Sequence, residues 1–352
     1  MERKKFIRSL VLAGAAFRGF PKNLSAKNYE KLAACQLTNN NLLLQIPPYL
    51  QAGNTIGLTA PAGFITMEEM QPALIEIQSW NLSTKCGATI GTRNNTYSAS
   101  DEERVKDMQE MLDDDKLQAI MCARGGYGLI RIIDELDFTK FIQKPKWLIG
   151  FSDATVLLNH LYHNFGIASL HSKMCNSFPD NPLLADEMQN ATIQSIRKAL
   201  FGEKILYEIP LNASNKNGKA TGVLIGGNLK TIESLYESDS ELHPENSILF
   251  VEDTGEYLYS IDRMFWGLKR AGKLAKLKGL VLGGFKIKPD DPGEEFGKTL
   301  EEIVLEKIQE YNYPVCFDFP VGHQKNNFAI KHGMIHTLHV SSTKCTLLES
   351  HD

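Results

Sequence analysis

The chain has 352 residues, 43% hydrophobic and 23% charged, with a formal net charge of −4. That length suits two domains, each able to bury a core, and the balance lacks the basic excess expected of a nucleic-acid binder. The cysteines Cys35, Cys86, Cys122, Cys175, Cys316 and Cys345 form no Cys-x-x-Cys pair and no Cys/His cluster at zinc spacing, so they read as buried free thiols, and neither metal nor cofactor is expected.

The N-terminus opens with a basic stretch, Met1 to Lys5, followed by mostly apolar and small residues to Phe17. Ala13-Gly14-Ala15 has the small-residue character of a leader cleavage site, and Arg3-Lys4-Lys5-Phe6-Ile7-Arg8 resembles a degenerate twin-arginine signal. The apolar run is too short for a bilayer span, which takes about 20 residues. Residues 1–20 read as an export signal that places a mature chain without a membrane span in the periplasm. The alternative is the frayed start of a cytoplasmic protein. The polar stretch over 21–46 reads as a linker.

From residue 47 to 208 the pattern alternates short apolar runs with amphipathic stretches. Strands are expected over 55–60, 117–123 and 146–150. Helices are expected from the Thr66 cap to about Trp80, over 102–112, from Gly128 to about Leu136, and over 153–165. This order predicts an α/β domain built on a parallel sheet. Asn212, Ser214, Asn215, Asn217 and Gly218 mark a boundary. Residues 218–352 mix strands (247–251, 279–283, and an alternating run over 335–340) with helices (261–271, 299–311). The second domain is therefore expected to be smaller, β-rich and α+β or barrel-like.

A nucleophilic serine needs an exposed hydroxyl at a tight strand-to-helix turn. Gly150-Phe151-Ser152-Asp153-Ala154 supplies that setting, with Ala154 where the Gly-x-Ser-x-Gly elbow has its last glycine. Ser152 as a plain helix cap is the competing reading. Arg124-Gly125-Gly126-Tyr127-Gly128 ends the preceding predicted strand, on the face where loops of a parallel sheet converge. Its glycines can offer N–H groups to an oxyanion, and it matches neither the dinucleotide nor the phosphate-loop pattern. His323, in Gly322-His323-Gln324, is a candidate base on a loop leaving an apolar run. His160 and His163, on the helix after Ser152, read as packing residues. Glu252, Asp253 and Glu256 are rivals for the carboxylate that would orient an imidazole.

Together these segments resemble the serine LD-carboxypeptidases, a family that also includes the microcin C immunity hydrolases. The matching pieces run in order: Ile56 to Gly63, Ala123 to Gly128, Gly150 to Asp153, Gly226-Gly227-Asn228-Leu229, Glu252 to Glu256 with Tyr259 and Ile261-Asp262-Arg263, and Gly322-His323 with Asn326 or Asn327 and Gly333. The resemblance implies a Ser152–Glu252–His323 triad, with oxyanion donors at the backbone N–H of Asp153 and of Gly125-Gly126. It implies a site between a nucleophile domain and a β-rich domain, a homodimer, and hydrolysis of the terminal D-alanine bond of murein tetrapeptides. Arg124, Tyr127 and Lys173 are expected to contact substrate. Many members read His-Gly-Pro-Met after the nucleophile helix, whereas this chain reads His171-Ser172-Lys173-Met174. Lys173 is thus expected either to meet a substrate carboxylate or to point to solvent.

Overall fold

Short apolar runs buried on both faces build the centre of the first sheet, as parallel strands flanked by helices require. In the computed structural model, which describes residues 43–180 and 185–350, the strands are β1 Thr55–Thr59, β2 Ser83–Cys86, β3 Ala119–Cys122, β4 Trp147–Gly150 and β5 Ser169–His171. They lie parallel in the order β2-β1-β3-β4-β5. Helices α1 Met67–Ser79 and α2 Asp101–Asp113 begin at reciprocal caps, Thr66 with Glu69 and Ser100 with Glu103. Helix α3 Thr155–Phe165 follows β4, and α4 Glu187–Leu200 follows β5.

The expected helix from Gly128 to Leu136 is instead two short 3-10 turns, Leu129–Arg131 and Ile133–Glu135. Three isoleucines in this stretch weaken helix formation. The Leu129 N–H is also drawn to the Asp153 carboxylate, 2.8 Å away.

The second half forms a seven-stranded mixed sheet. Its elements are β6 Leu206–Ile209, β7 Gly218–Asn228, α5 Leu229–Ser234, β8 Ser247–Thr254, α6 Leu258–Arg270, β9 Gly279–Lys286, α7 Leu300–Ile308 and β10 Val315–Cys316. After them come β11 Ile330–His332, β12 Ile335–Val340 and β13 Cys345–Glu349. The sheet order is β10-β9-β8-β7-β12-β13-β6, parallel from β10 to β7 and antiparallel beyond. The alternation read over 335–340 appears as alternating burial along β12. The sheet curls so that its ends approach: Lys216 bridges Val315, and the buried thiols of Cys316 and Cys345 lie 3.3 Å apart. Cys122 and Cys175 are also buried and free, but Cys86 is exposed, because β2 is an edge strand.

One strand crosses over. Ile330–His332 leaves the second half and pairs antiparallel with β5, completing the first sheet. The expected export signal lies outside the described residues, as does most of the expected linker. Gln45, among the few described residues of that linker, bonds to Gly166 and Ala168 at 2.8 and 2.9 Å. No helix among the described residues is long and apolar enough to cross a membrane.

Burial sets a pH dependence. It pushes His171 and His332 down to about 3, and His160 and His336 down to about 4. Each stays neutral in the fold while its unfolded counterpart takes a proton below about 6.5. Their contribution is complete above that pH and is lost as pH falls toward their folded values. Asp153 and Asp253 act oppositely. Burial raises both to about 6, so acidification from there to the unfolded value near 3.8 relieves a cost. With four imidazoles against two carboxyls, each worth up to about 1.4 kcal/mol per pH unit, stability should fall from pH 7 to pH 5. Urea-unfolding midpoints at the two pH values check this; an unchanged or higher midpoint at pH 5 contradicts it.

Candidate active site

Strand β4 delivers Ser152 to a turn in which the serine itself takes the left-handed conformation, φ +62°. Gly150 is required by packing: a Cβ there would lie 2.7 Å from the Ala154 Cβ. Residues Ser152–Ala154 make one 3-10 turn before α3, whose N-terminus carries no side-chain cap. The Ser152 hydroxyl is therefore not spent on capping. Its partner is His323 Nε2, at 3.2 Å.

His323 stands on the loop between β10 and β11, its ring 5.0 Å from that of Phe151. Its Nδ1–H donates to Glu252 Oε2 at 2.5 Å, which leaves Nε2 as the acceptor for the Ser152 hydroxyl. The same carboxylate oxygen accepts the His323 backbone N–H at 3.1 Å. Among the three acidic candidates at the end of β8, Glu252 is the one that reaches the imidazole, and it is fully buried. Asp253 turns away to accept from Asn228 Nδ2 and the Lys230 N–H, both at 2.9 Å, and Glu256 accepts from Ser260 Oγ at 2.5 Å. The opposite directions of Glu252 and Asp253 follow from the two faces of a strand, and Glu256 lies beyond the end of β8. His160 bonds Ser240 (2.8 Å) and His163 packs on His243 (centroids 4.7 Å), so neither joins the site.

The glycine loop passes directly over the serine. A Cβ on Gly125 would lie 3.1 Å from Ser152 Cβ and 3.2 Å from Oγ, an approach that only glycine allows comfortably. The loop is braced from below: Gly63 N–H donates to Gly125 O (2.9 Å), and Arg104 Nη1 donates to Pro61 O (2.5 Å) and Gly128 O (3.0 Å). Asp153, whose N–H was expected to serve the oxyanion, also anchors the loop through its carboxylate on Leu129 N–H.

Ser152, Gly125, Gly126 and His323 line a cleft of about 530 Å³, with Arg124, Lys173, Met174, Lys286, Gln324 and Lys325 among its other walls. Of the three residues expected to contact substrate, Arg124 and Lys173 line this cleft. The third, Tyr127, is exposed, packs its ring on Tyr97 (centroids 6.1 Å) and lies outside the lining of the cleft. A larger hollow of about 630 Å³ lies beside α2, between Lys85 and Glu135, and has no serine or histidine in its lining.

Sequence reading missed Arg104, the walls contributed by Met174 and Lys286, and the Asn327 side chain, which accepts the Gly322 N–H at 2.8 Å. Two of these had a signal: Asn327 in the segment after Gly322-His323, and Met174 as the last residue of His171-Ser172-Lys173-Met174.

Residues 56–172 match the sequence profile of the LD-carboxypeptidase N-terminal domain, and residues 221–338 match that of the C-terminal domain. The chain belongs to the LD-carboxypeptidase family. Within it, the murein tetrapeptide carboxypeptidase of Pseudomonas aeruginosa is 30% identical over 284 residues, 79% of this chain and 91% of that protein. The microcin C7 self-immunity protein MccF of Escherichia coli is 26% identical over 316 residues, 80% of this chain and 90% of its own. The crystal structure of muramoyltetrapeptide carboxypeptidase from Oxalobacter formigenes superposes with a TM-score of 0.73 at 26% identity, covering 85% of this chain and 99% of that one. These matches agree with the resemblance read from the sequence and with an α/β fold made of a parallel-sheet half and a mixed, β-rich half.

Proposed function

We propose that this family member is a serine LD-carboxypeptidase that releases the terminal D-alanine of murein tetrapeptides, with Ser152 as nucleophile, His323 as base and Glu252 as the residue that orients it. The observation that carries the reading is the position of His323, bonded on one side to the Ser152 hydroxyl and on the other to a buried carboxylate. His323 Nε2 takes the hydroxyl proton as Oγ attacks the scissile carbonyl, and Glu252 stabilises the resulting imidazolium. The N–H groups of Asp153 and of the Gly125-Gly126 turn receive the oxyanion. His323 returns the proton to the leaving amine, and water then frees the tripeptide by the same steps in reverse. The relatives named as murein peptide carboxypeptidases support the choice of substrate.

Incubating the purified protein with a murein tetrapeptide and weighing the products tests this. Tripeptide and free D-alanine in equal amounts are expected. Hydrolysis of an acyl-sulfamoyl adenylate in place of the peptide would move the protein to the chemistry of the immunity hydrolases. Binding of the peptide without turnover would make it a murein-peptide binding protein.

A further inference from the structure

Four cationic side chains line the cleft, and three of them are accounted for. Arg124 lies 3.6 Å from Glu69 and donates to Phe64 O at 3.2 Å. Lys325 pairs with Asp186. Lys286 is exposed to solvent. Lys173 differs from all of these: it is half-buried, its Nζ donates to Gln324 O at 3.0 Å, and no carboxylate among the described residues pairs with it. An ammonium has three donors, and a cation withdrawn from water is costly without a counter-charge. Burial accordingly draws this amine below the usual lysine range.

The position of Lys173 indicates which counter-charge would fit. Its neighbour Ser172 is tied to the nucleophile strand through Gly150 O (3.2 Å), and its acceptor Gln324 directly follows His323. Lys173 is therefore tied to the loop that carries His323, and it lines the same cleft as the imidazole that hands a proton to the departing amine. In a C-terminal amino acid the carboxylate is bonded to the carbon next to that amine. We propose that Lys173 is the residue that selects a free C-terminal carboxylate, pairing with it as the leaving amino acid is held against His323. The inference rests on the function proposed above and deepens it: the pairing would restrict hydrolysis to the last bond of a peptide.

The test compares one tetrapeptide ending in a carboxylate with the same peptide ending in a carboxamide. Calorimetry on the Ser152→Ala protein should show the carboxylate form binding about tenfold or more tightly, the range for one charge-assisted contact. Adding Lys173→Met should abolish that preference while leaving amide binding within a factor of about two to three. With Ser152 intact, Lys173→Met should raise KM for the carboxylate peptide more than it lowers kcat, and Lys173→Arg should recover part of the preference. Equal losses for both peptides would reduce Lys173 to a prop for the His323 loop. A preference that survives Lys173→Met, or binding of neither peptide, would also overturn the proposal. If the Ser152-intact protein hydrolyses neither peptide, the proposed function fails, and the binding comparison still decides the role of Lys173.

Discussion

Ser152→Ala is expected to lower kcat on the tetrapeptide by about 10⁴- to 10⁶-fold, the scale on which nucleophile loss acts in a comparable triad. The fold should survive. The hydroxyl does not cap α3, and its partner is His323, which keeps its bond to Glu252 when the hydroxyl is gone. Thermal unfolding should therefore shift by only a few degrees. Ser152 also holds φ +62°, a conformation that costs a non-glycine residue about 1–2 kcal/mol. Ser152→Gly should accordingly be as inactive as the alanine variant yet more stable than it. Single-turnover rates and melting curves on the two variants together check the argument. Near-normal turnover in a folded Ser152→Ala protein would refute the assignment of the nucleophile.

Gly322→Ala should be nearly as damaging, although position 322 performs no chemistry. Gly322 sits at φ +97°, and a Cβ there would lie 2.4 Å from Glu252 Cβ and 2.6 Å from both Cγ and Oε2. No real Cβ tolerates such contacts, so either the loop or the glutamate must move. Either movement breaks the pair of bonds from His323 to Glu252 Oε2, and the loop is further pinned by the Gly322–Asn327 bond. The substitution should cost about 2–4 kcal/mol of stability, the range for overpacking combined with backbone strain, and about a hundredfold or more in kcat from the misplaced base. Urea unfolding measures the first effect and steady-state kinetics the second. A variant with full activity would show that the orientation of Glu252 matters little.

The parts of this site that were legible in the sequence are those whose chemistry is local. Ser152 stood at a strand-to-helix junction, and the glycine loop stood at the end of the strand before it. Glu252, Asp253 and Glu256 could not be separated, because the choice depends on which face of β8 meets the His323 loop, a register fixed only when the sheet forms. Arg104 carried no signal at all. It lies on an ordinary amphipathic helix, and only packing reveals that its guanidinium is buried against two carbonyls of the loops that frame the cleft. The isoleucine-rich stretch after Gly128 carried apolar residues at helical spacing yet breaks into turns, because those residues are buried by a loop held to Asp153. The three residues of β11 were too few for any periodic signal, and their pairing with β5 joins positions about 160 residues apart in the chain.

That short strand limits how such proteins can be recombined. A chimaera joining the first half of this chain to the second half of a relative at the 210–217 connection would import a foreign strand into the parallel sheet. Its neighbour is β5, which leads directly into Ser172 and Lys173. Mismatched side chains across Ile330↔His171 and His332↔Ser169 would then disturb the wall of the cleft even with every catalytic residue type retained. Residues 169–171 and 330–332 should therefore be exchanged as one unit, and fragments cut between the halves should complement each other only when the second carries its strand.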